Sequence, residues 1–191
     1  VTIPSGATRQ VWLSFEPTDL PAKTYAGQIE ITPASGNKQV VPLQLVVYPP
    51  RFPDTTTLCL GGWDYTDAEA MYGITAENKA AVVEHLQKRH VNTPWATSSV
   101  LWAAQVDDNG QVKEPVDTTR FDNWVKLWPD ARRYMVNLAC NDSFCGSKIG
   151  EPAFGLKVGA WARFWAQHMR ELGKDPGQLG LLIYDEPNNK K

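Results

Sequence analysis

The sequence predicts a mixed fold: the C-terminal part of a β-sandwich, followed by the first half, four βα units, of a TIM-type (β/α)8 barrel. Three observations carry this expectation. Residues 1–50 alternate apolar and polar side chains with period two. A proline-rich run then interrupts the chain. Beyond it, short apolar runs alternate with stretches of helical spacing. The expected boundaries are 1–50 for the partial sandwich, 51–56 for the linker and 57–191 for the barrel half.

The elements follow in order. In RQVWLSFEP, Val11, Leu13 and Phe15 alternate with Trp12, Ser14 and Glu16. In TYAGQIEITP, Tyr25, Gly27, Ile29 and Ile31 share one side, and in KQVVPLQLVVY so do Val41, Leu43, Leu45 and Val47. Such alternation, with turns at EPTDLPAKT and PASGN, marks half-buried antiparallel strands. Three strands make a poor sandwich, so earlier ones are expected to be absent. PPRFPDTT is a stiff connector. Then TLCLGGW reads as a strand, with Cys59 in its core. TAENKAAVVEHLQKRH reads as a helix capped by Thr75, with Val82, Val83 and Leu86 on one face. HVNTPWA is the second strand. A helix from about Thr119 carries Phe121, Trp124, Val125 and Trp128 and stops at Pro129. ARRYMVNLAC is the third strand. A helix from about Phe154 to Leu172 turns Val158, Trp161, Trp165 and Leu172 inward, with Gly173 as its stop. LGLLIYDE is the fourth strand. Repeated βα units imply parallel pairing. A dinucleotide fold is disfavoured, because Gly61-Gly62 lacks the spacing of a phosphate loop.

Composition narrows the functional classes. Hydrophobic residues at 42% and charged residues at 21% suit a globular protein, and a net charge of -2 offers no attraction for nucleic acid or an anionic membrane. No apolar run is long enough to span a bilayer. Cys140 and Cys145 flank NDSF, which contains the formal sequon Asn141-Asp142-Ser143; whether the two thiols pair depends on the compartment. His85, His90 and His168 fall within or beside expected helices without metal-ligand spacing, and are read as structural or surface residues. No cofactor and no metal are called for.

In a barrel, functional groups gather at the C-terminal ends of the strands. Those ends offer Trp63, Asp64 and Tyr65, then Trp95, then Asn137, Asn141 and Asp142, then Tyr184, Asp185 and Glu186. There is no nucleophile elbow and no Cys with a His partner. What remains is carboxylate chemistry beside aromatic platforms, which suits cleavage of a glycosidic bond. Trp63, Asp64, Tyr65, Trp95, Asn141 and Tyr184 are the candidate substrate-binding residues. Trp124, Trp128, Trp161 and Trp165, at helical spacing, read as core.

The hairpin with Pro21, Tyr25 and Gly27, followed by a barrel whose fourth strand ends in Asp185-Glu186-Pro187, resembles glycoside hydrolase family 123 and its relatives of the DUF4091 type. The resemblance implies a bacterial, secreted or periplasmic β-N-acetylgalactosaminidase-like enzyme, with a β-sandwich ahead of a (β/α)8 barrel. It implies Glu186 as general acid/base, with Asp185 orienting the substrate's own 2-acetamido group as nucleophile. The expected partner is a glycan bearing an N-acetylated amino sugar. Two alternatives stay open: a retaining glycosidase whose Glu nucleophile lies on a later strand, and a carbohydrate-binding or scaffold protein without catalysis. Adjacent strand residues point to opposite faces, so both acids reach one pocket only where the strand ends or bulges. Half a barrel leaves two strand edges open. The chain is therefore expected to be inactive alone, with the remainder of the barrel supplied by the same or a complementary chain.

Overall fold

The computed structural model describes residues 2–17, 19–138, 140 and 142–185. The chain divides into two compact units, Val1–Asp54 and Thr55–Lys191, with the division inside the run PPRFPDTT.

In the first unit, β1 (Thr24–Ile31) pairs antiparallel with β2 (Gln39–Val46), in register from Thr24 opposite Val46 to Ile31 opposite Gln39. This register sets Tyr25, Gly27 and Ile29 across from Leu45, Leu43 and Val41, so one side of the ribbon is apolar. The Tyr25 hydroxyl donates to the Pro21 carbonyl at 2.9 Å, fixing the entry of the chain into β1. Gly36, at φ 103°, makes the turn of PASGN, which a side chain would resist. The alternation of Val11, Leu13 and Phe15 leads to a different outcome. Residues 9–17 form no strand, and Val11, Trp12, Leu13 and Phe15 are exposed. Period two orients side chains, but a strand also requires a neighbouring edge for its backbone groups.

The second unit is built on a parallel sheet in the order β3 (Trp95–Thr97), β4 (Tyr134–Asn137), β7 (Leu179–Leu182). Helix α1 (Lys79–Gln87) precedes β3, α2 (Thr119–Leu127) links β3 to β4, and α3 (Pro152–Glu171) lies between β4 and β7. A small antiparallel hairpin, β5 (Ser143–Phe144) with β6 (Ser147–Lys148), comes before α3. The turn before α1 is closed by a reciprocal pair: the Thr75 hydroxyl accepts from Asn78 N–H, and the Asn78 side chain accepts from Thr75 N–H. That is capping-box logic with Asn in the third position.

Parity divides the sheet into two faces. Ala96, Tyr134, Val136 and Leu138 are buried against Phe121, Trp124 and Val125 of α2 and Trp161, Trp165 and Met169 of α3. The Trp124 and Tyr134 rings meet edge to face at 5.5 Å. The helical spacing read from the sequence is the spacing of this core. The other face, with Trp95, Thr97, Met135, Asn137, Gly180 and Leu182, is half-buried throughout. Met135 lies across Gly180, where a β-carbon would sit 2.3 Å from its sulfur.

The run TLCLGGW, expected as the first barrel strand, is not a strand, and Cys59 is exposed rather than core. Side chains dock this segment on the free edge of β3 instead. The Asn92 amide accepts from Leu60 N–H and donates to Leu58 O, both at 2.9 Å. Leu60 O in turn accepts from the N–H groups of Asn92 and Thr93. Further along, Asp64 accepts from Trp95 N–H and Asp67 from Thr97 N–H, each at 3.0 Å. Two carboxylates and one amide thus take bonds that a neighbouring strand would otherwise make. The backbone leaves the extended path because Trp63 and Tyr65 hold φ at 34° and 44°. Gly61 passes so near the Thr93 carbonyl that a β-carbon would lie 1.8 Å from its oxygen.

Candidate functional site

Strands β3 and β4 and the segment docked beside β3 bring several of the sequence-predicted residues into pairs, although Trp95, expected at a strand end, opens β3, and Thr97 ends it opposite Asn137. Trp63 is 53% exposed and meets the half-buried Trp95 edge to face, with centroids 6.3 Å apart. The Asn137 amide at the end of β4 donates to the Tyr65 hydroxyl at 3.1 Å. Tyr65 runs parallel to Tyr72, centroids 6.4 Å apart and planes 7° apart. The Asn137 Oδ1 is buried without a hydrogen-bond partner among the described residues.

Asp64 is tied down within the fold. One oxygen accepts from Trp95 N–H, and the other accepts from the Thr66 hydroxyl at 3.1 Å and, more weakly, from Thr66 N–H. The Thr66 hydroxyl itself accepts from the Trp128 indole N–H at 2.9 Å. This relay joins the docked segment to the residue that ends α2. Burial pushes the Asp64 carboxyl above its ordinary value of 3.8, against the hydrogen bonds that favour the anion. Asp67 grips Thr97 through both its N–H and its hydroxyl, with Arg120 Nε 3.8 Å away.

The ladder between β4 and β7 continues past the strands: Leu138 N–H donates to Leu182 O and Cys140 N–H to Ile183 O, both at 2.9 Å. Tyr184, 52% exposed, and the exposed Asp185 follow directly. Glu186 and Asn141 lie outside the described residues. Comparison with family models, with curated proteins and with solved structures gives no match.

Several other polar groups tie the elements together. His168 Nε2 lies 2.6 Å from Asp122 Oδ1, joining α3 to α2, and its ring stacks on Phe164. Lys157, buried in α3, donates to Cys145 O at 2.7 Å and pairs with the exposed Asp108 at 2.6 Å, holding the β5–β6 hairpin. Cys140 and Cys145 are free thiols, and burial raises the Cys140 pKa. No group of three or more His, Cys, Asp or Glu converges among the described residues, and no helix there is long and apolar enough to cross a membrane.

Sequence reasoning missed Tyr72 and Asp67. The first has a signal only in three dimensions, as the ring paired with Tyr65. The second was visible as the carboxylate three residues beyond Asp64, a spacing that reaches alternate N–H groups of one strand edge.

Proposed function

We propose that this chain carries part of the active site of a glycoside hydrolase acting on N-acetylated amino sugars. The architecture proposed with it is a (β/α)8 barrel behind a β-sandwich. The observation that carries the reading is the pairing of Trp63 with Trp95 and of Tyr65 with Asn137, the latter at the C-terminal end of β4, along one face of the parallel sheet and the segment docked beside it. Flat rings bind the C–H face of a pyranose, while an amide and a phenol serve its hydroxyls. The half-buried second face of the sheet supports a barrel, since parallel sheets are ordinarily covered on both sides.

In the proposed chemistry Glu186 protonates the leaving glycosidic oxygen. Asp185 orients the 2-acetamido group, whose carbonyl oxygen attacks the anomeric carbon, and then stabilises the oxazolinium that forms. No enzyme nucleophile is needed. Trp63, Trp95 and Tyr184 provide apolar walls, and Asn141 a polar contact. The bond from Cys140 N–H to Ile183 O continues the pairing with β4 to the residue before Tyr184.

The test is hydrolysis of aryl N-acetylhexosaminides against plain aryl hexosides by a longer polypeptide that contains this chain. Activity confined to sugars lacking the acetamide would sink substrate assistance; inactivity on every glycoside would favour a binding role. Glu186→Gln is expected to lower turnover of substrates with poor leaving groups by about 10²–10⁴-fold and to spare activated ones. Equal loss on both removes the acid role.

A further inference from the structure

We infer that Tyr72 is a sugar-stacking residue, mounted on a strained turn that holds its ring beside Tyr65. The inference rests on the carbohydrate reading above and extends it to a residue with no part in the proposed chemistry.

Four non-glycine residues between 63 and 72 have left-handed backbone: Trp63 at φ 34°, Tyr65 at 44°, Ala70 at 67° and Tyr72 at 53°. Side chains other than glycine rarely adopt this region, and aromatic ones less readily than Asn or Asp. Three of the four are aromatic, so the unfavourable backbone falls where large rings project from the loop. Residues in such conformations persist when their surroundings over-determine them, and they cluster at ligand sites. The surroundings here do so. Ala70 N–H donates to Ile74 O and Ile74 N–H to Met71 O, closing the turn from both ends. Ile74 is buried beneath it, and the Asn78 amide donates to Gly73 O at 3.0 Å.

The held ring is nevertheless 71% exposed. Its parallel partner Tyr65 is anchored through its hydroxyl by Asn137, and Tyr72, stacked alongside, is the more exposed of the two rings. Flat apolar faces beside an amide and a phenol suit a pyranose, which has one C–H face and a polar rim. Tyr72 would carry the sugar, or the next residue of a glycan, on the side away from β4.

The experiment titrates the protein with N-acetylgalactosamine and, separately, with galactose, and follows thermal unfolding of each variant. Tyr72→Phe keeps the ring and is expected to keep the affinity. Tyr72→Ala and Tyr72→Gly are expected to weaken binding about three- to tenfold. Glycine also relieves the backbone, so Tyr72→Gly should melt about 2–4 °C above Tyr72→Ala, although both lose the ring and bind worse. Tyr72→Ala and Tyr72→Gly variants that bind with unchanged affinity make Tyr72 a turn residue only and overturn the inference. Wild-type protein that binds neither sugar overturns both this inference and the reading beneath it. Equal binding of the two sugars, weakened alike by Tyr72→Gly, supports stacking and removes the acetamide from recognition.

Discussion

Replacing Thr66 by Val probes the relay that fixes the docked segment to the core. Thr66 is fully buried and Trp128 1% exposed, so no water can enter to replace the lost hydroxyl. The exchange keeps the side-chain shape, which makes the cavity contribution small. The Trp128 indole N–H loses its acceptor, and a buried unpaired donor costs about 1–3 kcal/mol. The Asp64 carboxylate loses one donor but keeps Trp95 N–H, for about 0.5–1.5 kcal/mol more. Together Thr66→Val is expected to destabilise the second unit by about 2–4 kcal/mol, a fall in Tm of about 8–16 °C. Thr66→Ser keeps the hydroxyl and drops a methyl, for about 1 kcal/mol. Thermal and urea unfolding, followed by tryptophan fluorescence, measure both. A Thr66→Val protein within about 0.5 kcal/mol of wild type, or a Thr66→Ser protein equally damaged, would refute the relay.

The glycine pair gives a contrast one residue apart. Gly61→Ala drives a β-carbon into the Thr93 carbonyl, a backbone group that cannot swing away, and is expected to lose about 1–3 kcal/mol, whereas Gly62→Ala, with open space, should stay within about 0.5 kcal/mol; equal effects in urea unfolding would contradict the close approach. Asp64 sets a pH dependence. Its folded pKa lies above the unfolded value of 3.8, so its contribution to stability is fully present below that pH and is lost as pH rises through the folded pKa. Melting curves from pH 3 to 7 should therefore show wild type losing ground to Asp64→Asn as pH rises through that window, and the opposite trend would mean that hydrogen bonding outweighs burial.

Much of the helical layer was legible because helix periodicity is local. Phe121, Trp124, Val125 and Trp128 recur at intervals that place them on one side of any α-helix, and that side packs on Tyr134 whatever else the chain does. The same holds for Trp161 and Trp165. Strand readings were less secure for a physical reason. LGLL and YMVN found neighbours and became β7 and β4; VWLSF and TLCLGG, with similar patterns, did not become strands. A strand is defined by its partner, and the partner is not written in its own residues.

The candidate site divides along the same line. The sequence by itself determined which chemistry was on offer: aromatic, amide and carboxylate groups at the ends of apolar runs, with no histidine among them. Tertiary structure decided how the described groups are used. It spent the Asp64 carboxylate on a strand edge and a buried threonine, freed the Trp63 ring to half exposure, and set Tyr65 against Asn137 and Tyr72. Identity follows from the order of residues, whereas hydrogen-bond partners separated by 31 or 72 positions follow from where the chain folds back on itself.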